Sequence, residues 1–434
     1  MHSIEELPPA SLRPYARNPR RHSAKQIRQI ADSIRTFGFT NPVLISDDGE
    51  IIAGHGRVEA ALQLQMASVP VLRLSHLSEA ERRAYVIADN KLALNAGWDQ
   101  ELLALELQGL IDLDFDVTLT GFSLAETDLA LDALRESDEA QTGPEDVIPK
   151  VQKASVSRPG DLWSLGRHRL LCGDARKPED YGRVLAGKTA DLIFTDPPYN
   201  VPIDGHVTGL GRIRHREFAM GVGEMSEAEF TSFLTETLGG AAKVCRDGAI
   251  AFVCMDWRHI AELIAAGKAV FFEMKNLCVW AKTNGGMGTF YRSRHELIAV
   301  FKVGDGPHTN TFGLGESGRY RTNVWEYPGA SSLGRGRDEA LAMHPTVKPA
   351  ALVADAIRDC SRRGELVLDP FAGSGTTLIA AEVCGRKAAL IEYDPLYCDT
   401  IIRRYEALTG KPAVVAESDE TFEAVTAERQ EVAQ

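Results

Sequence analysis

The sequence Asp-Pro-Pro-Tyr, residues 196–199, places a carboxylate, two rigid residues and an aromatic ring directly after an apolar run. That run, Leu192 to Thr195, is typical of a buried strand. Consecutive prolines fix φ and supply no backbone donor, so the chain must leave the sheet here as a rigid loop. The acid and the ring are therefore held where a strand ends. The candidate catalytic residues are Asp196, Pro197, Pro198 and Tyr199.

A glycine loop follows a second predicted strand near the end of the chain. In DPFAGSGTT the strand ends at Asp369, Gly373 and Gly375 form a tight turn, and Thr376 begins a helix. The next strand ends in Glu392, an acid that suits ribose hydroxyls in open α/β sheets. No Lys follows the last Gly and the G-x-G-x-x-G pattern is incomplete, which disfavours a P-loop or a dinucleotide site. Asp369 suits an amine-bearing or cationic ligand, a description that S-adenosylmethionine meets.

The elements that position these loops fall into several regions of the 434-residue chain. Strand and helix signals alternate from Leu162 onward, which predicts an α/β domain with an open, mostly parallel sheet. A small N-terminal α+β domain is predicted before it. The predicted divisions are an N-terminal domain at 1–98, an acidic helical extension at 99–134, a linker at 135–161, the α/β domain at 162–410 and a disordered acidic tail at 411–434.

The distribution of charge keeps a nucleic-acid partner open despite the net charge of -13. Asp99 to Asp146 holds 14 acids and one base, a net charge equal to the whole excess. Lys282 to Arg337 and Met1 to Thr40 each carry a net charge of +4. Two basic surfaces separated by an acidic segment are compatible with DNA binding.

Cysteine usage and hydropathy indicate the compartment. The seven cysteines never form a C-x-x-C pair, which disfavours a zinc site or a disulfide framework, and we assign no metal. The N-terminus carries acids, and no run of about 18 uncharged apolar residues occurs. These features predict a cytoplasmic protein.

The pairing of Asp-Pro-Pro-Tyr with DPFAGSGTT resembles the amino methyltransferases of DNA, which methylate adenine N6 or cytosine N4. The acid loop precedes the glycine loop, as in the permuted, beta-type members, and the resemblance covers roughly 162–408. The segment WAKTNGGMGTFYRSRHELIAVFK is similar to a sheet edge of bacterial and phage members. The resemblance implies a Rossmann-like methyltransferase. Methylation at cytosine C5 is disfavoured because its nucleophile usually lies in a Pro-Cys dipeptide, which is absent.

The resemblance also implies roles for particular residues. The Asp196 carboxylate and the Pro197 carbonyl would accept the N–H groups of an exocyclic amine, and Tyr199 would stack on a flipped base. HPTVKP at 344–349 resembles the segment that helps to close the methionine pocket, and Asp174 in LLCGDA resembles the residue that borders the cofactor adenine. The implied cofactor is S-adenosyl-L-methionine, bound by Asp174, Lys348, Asp369, Phe371, Gly373, Gly375, Thr376, Thr377 and Glu392.

Two arginine-containing regions are candidates for contact with double-stranded DNA. Residues 303–343 form the predicted target-recognition region, and Val201 to Met225 is an insertion that suits a lid. Arginines suit phosphates and guanine edges, although a flexible surface loop is the alternative interpretation of each region. The predicted DNA-binding residues are Arg212, Arg214, Arg216, Arg319, Arg321, Arg335 and Arg337.

Residues 1–98 resemble the N-terminal domain of ParB-type partition proteins, through NPRRHSAKQIRQIADSIRTFGFTNPVLI and IIAGHGRVEAAL. In those proteins a G-E-R-R loop binds and hydrolyses a cytidine nucleotide. Here the loop reads Gly54, His55, Gly56 and Arg57, so the acid is replaced and hydrolysis is not expected. Arg57 is the predicted accessory residue for a nucleotide or DNA, with a solvated basic surface as the alternative.

The function that these observations favour is a site-specific DNA adenine N6 methyltransferase acting on a flipped-out base. Cytosine N4 is the nearest alternative, because both amines fit the same acceptors. A nucleotide-gated DNA-binding protein with a vestigial methyltransferase fold is the alternative from another class. No nuclease motif accompanies the enzyme, so a restriction endonuclease that acts with it would lie on a separate chain.

Overall fold

The computed structural model of the protein describes residues 3–113, 115–136, 144–152, 154–200, 223–283, 291–312, 321–329 and 348–431. The chain divides into two compact units, Met1–Glu139 and Ala140–Gln434. Among the residues that the structure describes, no helix has both the length and the apolar character needed to cross a membrane.

In the described residues of the first unit, there are a four-stranded sheet and five α-helices. The strand order is β1-β4-β2-β3, and β4 runs antiparallel to β1 and parallel to β2. The strands are β1 (Ile4–Leu7), β2 (Val43–Ile45), β3 (Ile51–Ala53) and β4 (Val69–Arg73). The helices are α1 (Ala24–Phe37), α2 (His55–Gln63), α3 (Glu79–Leu94), α4 (Gln100–Asp112) and α5 (Leu124–Glu136).

The acidic stretch is helical, as the leucine spacing predicts. Asp99 caps α4 by accepting a hydrogen bond from the Leu102 amide, where an acid also meets the positive end of the helix dipole. Ala104 and Leu107 of α4 are buried against Leu131 of α5. This small apolar core lets the segment form helices in spite of its charge.

The second unit contains the large α/β domain. Its strands are β5 (Leu162–Leu165), β6 (His168–Cys172), β7 (Ala190–Thr195), β8 (Cys245–Met255), β9 (Glu273–Ala281), β10 (His295–Lys302), β11 (Val324–Glu326), β12 (Leu366–Asp369), β13 (Lys387–Glu392) and β14 (Val414–Val415). Its α-helices are α6 (Pro178–Leu185), α7 (Glu227–Lys243), α8 (Ile260–Val270), α9 (Ala350–Cys360), α10 (Thr376–Val383), α11 (Pro395–Thr409) and α12 (Phe422–Glu431).

These strands form one ten-stranded sheet in the order β11-β9-β10-β8-β7-β12-β13-β6-β5-β14. The central run from β8 to β6 is parallel throughout. Because the carboxyl ends of parallel strands share one edge, the loop after β7 and the glycine loop after β12 emerge side by side. The predicted α/β class with a mostly parallel sheet is confirmed.

Both faces of the sheet are covered, as a parallel sheet requires. Strand β7 shows the alternation: Leu192 and Phe194 face one apolar core, whereas Ile193 faces the other. The strand is therefore fixed in register from both sides, and so is the loop that follows it.

The prediction of a disordered tail after Gly410 is wrong. Strand β14 pairs antiparallel with β5, and Phe422 of α12 lies edge-on to the buried Trp163 with ring centroids 5.4 Å apart. Val425 is also buried, at 2% exposure. A few apolar residues among many acids give a weak periodic signal, yet they are sufficient to dock this segment.

The predicted linker also belongs largely to the α/β domain. The amides of Val156 and Ser157 donate to the Asp399 carboxylate at 2.6 and 2.9 Å. Asp146 accepts a hydrogen bond of 3.0 Å from the amide of Ala350, at the start of α9. The segment from Pro144 onward is therefore anchored by polar contacts, which apolar periodicity cannot detect.

Candidate active site

The loop after β7 is held in place by Asn200. This residue is buried and adopts a left-handed backbone with φ of 53°, which Asn tolerates better than most residues. Its side chain donates to the Met225 carbonyl at 2.7 Å and accepts from the amides of Gly223 and Met225 at 3.1 and 3.2 Å. The Asp-Pro-Pro-Tyr loop is thus held by strand β7 at its start and by the contacts of Asn200 at its end.

The carboxylate of Asp196 lies within a hydrogen-bonded triangle. The ammonium of Lys348 lies 2.6 Å from Oδ2, and the Tyr199 hydroxyl donates to Oδ1 at 2.7 Å. Lys348 also donates to the Tyr199 hydroxyl at 3.0 Å. The Asp196 side chain keeps 25% of its exposure, whereas Lys348 keeps 3%, so the carboxylate is reachable while its cation is enclosed.

A second carboxylate, Glu296 of β10, shares the same lysine. Its Oε2 lies 2.9 Å from the Lys348 ammonium and 3.1 Å from the Tyr199 hydroxyl. Its Oε1 accepts from Lys282. We refer to Asp196, Tyr199, Lys282, Glu296 and Lys348 as the carboxylate–lysine cluster; it contains two acids and two ammonium groups.

Strong electrostatic interactions govern the protonation of this cluster. Burial raises the pKa of Asp196 above its usual range, and Lys348 opposes that effect. Burial alone would also raise the pKa of Glu296, but the two lysines hold it at about 2. Burial would lower the pKa of Lys348, yet Asp196 and Glu296 together raise it above its ordinary value. Lys348 and Glu296 are therefore both charged at neutral pH.

Lys348 is a predicted cofactor residue, and the structure places it beside the acid loop. Its ammonium lies in the carboxylate–lysine cluster, 5.4 Å from the Tyr199 ring centroid and 5.9 Å from that of Trp280. The sequence-based predictions missed Glu296 and Lys282 entirely. The signal for Glu296 was present, since an acid within the apolar strand HELIAVFK is unusual for a buried position.

Asp369 joins the two strand-end loops. Its Oδ1 accepts from the Thr195 hydroxyl at 2.9 Å and from the Phe371 amide at 3.0 Å, and its Oδ2 accepts from the Thr377 hydroxyl at 2.6 Å. Burial raises its pKa to about 6. Asp369 was expected to face an amine-bearing ligand; in the structure its oxygens bond Thr195, Phe371 and Thr377 of the two loops. It organises the glycine loop from within.

Glu392, at the end of β13, can accept further hydrogen bonds at this edge. Its Oε2 accepts from the Gly373 amide at 2.7 Å and its Oε1 from the Asp394 amide at 2.8 Å. Each carboxylate oxygen therefore retains a second acceptor position, which suits a ribose diol. Burial raises its pKa to about 8.

The remaining predicted cofactor residues lie around the same edge. Asp174 follows β6, the neighbour of β13, and makes bidentate contacts with Arg176; burial opposes ionisation, but these contacts keep its pKa below the usual range. Thr376 accepts from Arg404 at 3.2 Å. Gly375 has φ of 81°, and a Cβ there would lie 2.9 Å from Ile401, so only glycine fits.

Six of the seven predicted DNA-binding arginines lie outside the described residues: Arg212, Arg214, Arg216, Arg319, Arg335 and Arg337. Arg321 is described, and its prediction needs correction. Its guanidinium bonds Asp359 at 2.8 Å, lies over the Trp325 ring at 5.1 Å and is 16% exposed. Arg321 therefore connects its own segment, 321–329, to helix α9 through an ion pair and does not face solvent.

In the first unit, His55 and Arg57 lie in the first turn of α2 and both make internal contacts. Arg57 donates to the carbonyls of Asn41 and Pro42 at 2.5 and 3.2 Å. His55 accepts from the Tyr15 amide at 3.2 Å, and burial lowers its pKa, so it is a neutral acceptor at the start of the helix. In the described part of the chain, no group of three or more His, Cys, Asp or Glu side chains is arranged to hold a metal ion.

The fold and the two adjacent strand-end loops define an α/β methyltransferase domain. Residues 190–403 match the DNA methylase family of N6 and N4 enzymes, residues 1–90 match the ParB N-terminal domain, and residues 101–159 match the ParB-methyltransferase HTH domain. The chain therefore carries a domain of the N6/N4 DNA methylase family at 190–403, preceded by ParB-type domains. Helices α4 and α5, predicted as a plain acidic extension, lie within the HTH match.

Individual proteins are similar to different parts of the chain. The ParB-like nuclease domain-containing protein YnaK of Escherichia coli (strain K12) is 55% identical over 76 residues, 18% of this chain and 87% of that protein. The type II methyltransferase M2.MboI of Moraxella bovis is 26% identical over 237 residues, 53% of this chain and 85% of that protein. The solved complex of M1.HpyAVI with S-adenosylmethionine is 20% identical, with a TM-score of 0.38, over 54% of this chain and 98% of that one.

Proposed function

We propose that this protein transfers a methyl group from S-adenosylmethionine to the exocyclic N6 of adenine at a specific site in double-stranded DNA. The observation that carries the proposal is the Asp196 carboxylate, which is fixed on a rigid loop, remains 25% exposed and lies at the same sheet edge as the glycine loop. Membership of the DNA methylase family supplies the general reaction and the cofactor. An Asp at the start of the loop favours adenine over cytosine N4.

The chain's residues fit the cofactor by the chemistry of their donor and acceptor set. Glu392 offers two acceptor positions for the ribose hydroxyls, and Gly373 and Gly375 let the backbone approach closely. Asp174 lies at the neighbouring strand end. When bound, S-adenosylmethionine supplies a methyl group made electrophilic by its attachment to sulfonium.

The amine of adenine needs activation because its lone pair is delocalised into the ring. The Asp196 carboxylate and the Pro197 carbonyl accept its two N–H bonds, which draws the nitrogen towards a tetrahedral geometry and frees the lone pair. That lone pair forms the N–C bond as the electron pair of the S–C bond returns to sulfur. The methylated nitrogen then loses one proton, which Asp196 accepts and passes to solvent.

Two further sets of residues support DNA as the substrate. The Tyr199 ring, oriented by its hydroxyl contacts with Asp196 and Glu296, suits stacking on a base rotated out of the duplex. The arginine-containing segments 201–225 and 303–343, apart from Arg321, and the basic stretch Met1 to Thr40 of the ParB-like domain are proposed to contact the DNA backbone.

The experiment is transfer of labelled methyl groups to duplex DNA, followed by nucleoside analysis. We expect N6-methyladenine from the natural protein, none from Asp196→Ala, and unchanged yield from Glu273→Gln, an exposed acid of β9. N4-methylcytosine would keep the mechanism and change the base. If the protein binds the cofactor but forms neither product on varied DNA, DNA is not its substrate. If it does not bind the cofactor, a DNA-binding protein with a vestigial methyltransferase fold is favoured.

A further inference from the structure

The carboxylate–lysine cluster presents a problem for the proposed reaction, on which this inference rests. An adenine amine must bond the Asp196 carboxylate, yet Lys348 already occupies Oδ2 at 2.6 Å and the Tyr199 hydroxyl occupies Oδ1 at 2.7 Å. Both contacts are as short as strong charge-assisted hydrogen bonds. An incoming N–H group must therefore take the second acceptor position of one of these oxygens or displace the donor that is already there.

The structure provides a second partner for the lysine. Glu296 Oε2 lies 2.9 Å from the same ammonium, so Lys348 can leave Asp196 without losing a carboxylate contact. Such a contact is needed because Lys348 is enclosed, and an unpaired buried charge is costly. Lys282 bonds the other oxygen of Glu296, which holds that carboxylate in place when Lys348 moves.

Among the described residues, Lys348 is the cation that forms an ion pair with Asp196. Cys254 of β8 is buried and burial raises its pKa well above the ordinary value, so it stays a neutral thiol beside the cluster. Asp369 also affects Asp196 electrostatically, but its oxygens are fixed by its own donors. Tyr199 is a neutral donor, since burial and the nearby Asp196 raise its pKa. Lys282 acts through Glu296.

We propose that Lys348 is a positioning residue of the methylation site: it keeps Asp196 ionised while the site is empty and, held by its existing contact with Glu296, yields Asp196 to the target amine. Glu296 is the second half of this device, because it retains the ammonium when Asp196 turns to the amine. The cation stays close enough to keep the Asp196 carboxylate ionised as an acceptor for the amine.

The test is the pH dependence of single-turnover methylation at saturating cofactor, measured for variants that act in opposite directions. Lys348→Met removes the cation, so the acid limb of the rate profile should move to higher pH by about one unit or more. Glu296→Gln removes the competing anion, so the acid limb should move to lower pH, with a slower rate because Lys348 is no longer drawn from Asp196. A purely structural role for either residue would lower the rate without these opposite shifts.

Two further variants control for folding and chemistry. Lys348→Arg keeps the charge and should leave the acid limb close to that of the natural protein, although its planar group lowers the rate. Lys275→Met, on the exposed face of β9, should change neither rate nor limb. Cofactor binding by calorimetry establishes that each variant is folded; if Lys348→Met fails this criterion, Glu296→Gln and Lys348→Arg still decide.

The outcomes separate the inference from the proposed function. The role of Lys348 would be overturned if the natural protein is active but the acid limb of the pH–rate profile stays in place in both variants or moves in the same direction in both. The proposed methyltransferase function would be unaffected by that result. Absence of methylation by the natural protein on any DNA would overturn both. Opposite shifts with retained cofactor binding are the result that we expect.

Discussion

Thr195 and Asp369, the last residues of neighbouring parallel strands, are joined by a hydrogen bond of 2.9 Å between the Thr195 hydroxyl and the Asp369 carboxylate. Thr195 is fully buried and Asp369 is 3% exposed. The bond links the strand that delivers Asp196 to the strand that delivers the glycine loop. This bond therefore fixes the distance between Asp196, the proposed acceptor for the amine, and the glycine loop.

Replacing Thr195 by Val should weaken both loops together. The Asp369 carboxylate would lose one of its donors in a buried site, which costs about 1–3 kcal/mol of unfolding free energy. We expect that loss in urea denaturation, accompanied by weaker cofactor binding. Thr231→Val, which removes an exposed hydroxyl contact on α7, is the control. Unchanged stability in Thr195→Val would mean that the hydrogen bond is not needed.

Cofactor binding should depend on pH through Glu392. Its pKa is raised to about 8 in the free protein, so the free carboxyl is largely protonated at pH 6. Hydrogen bonds from a ribose diol favour the ionised form, so binding should release a proton and tighten between about pH 6 and pH 8. Calorimetry in buffers of different ionisation enthalpy measures this release. Glu392→Gln should bind weakly and without it, and Glu423→Gln on the exposed face of α12 should behave like the natural protein.

The same raised pKa has a consequence for stability. A native pKa above the unfolded one means that the folded state binds more protons, so Glu392 costs stability as pH rises from about 4.5 towards 8. The ligand-free protein should therefore lose unfolding free energy across this range, and Glu392→Gln should lose less. A steeper loss in the variant would contradict the assignment.

Two glycines offer a matched comparison of backbone strain and packing. Gly364 has φ of 79° and open space where a Cβ would lie, whereas a Cβ on Gly375 would lie 2.9 Å from Ile401. Gly364→Ala should cost about 1–2 kcal/mol from the left-handed backbone alone. Gly375→Ala should cost a further 1–3 kcal/mol or so from overpacking, and should also lose cofactor-induced thermal stabilisation. Equal costs would show that Ile401 can move aside.

The C-terminal helix should contribute to the stability of the α/β domain. Phe422 is 5% exposed and packs edge-on against Trp163, so Phe422→Ala should cost about 3 kcal/mol in urea denaturation. Glu423→Ala, one residue further and exposed, should have little effect. If the C-terminal helix did not pack against the α/β domain, both variants would have the same midpoint of urea denaturation.

The sequence predicts the two strand-end loops well because each carries a local signature: prolines after an apolar run at Asp196, and glycines after another at Asp369. Glu296 and Lys282 could not be found in this way. They meet Lys348 only because β9 and β10 pair antiparallel and bring Trp280 opposite Glu296. Arg321 illustrates the same limit, since an arginine in a basic stretch looks solvent-facing until Asp359 of α9 is placed beside it.

The fold shows a similar division. The alternation of strand and helix signals predicts the parallel sheet, because the apolar residues of each element recur with the period of a helix or of a strand. The docking of Phe422 and the anchoring of Val156 on Asp399 rest on single contacts between residues far apart in the chain. No local pattern records them, so these segments were predicted as tail and linker.

The Asn200 side chain brings together the two ends of residues 201–222, since it bonds Gly223 and Met225 on the far side. The residues on either side of this segment therefore meet at one anchored point. The strand that carries Asp196 owes its fixed end to contacts made outside 201–222, so we expect substitutions within that segment to leave the position of Asp196 unaltered.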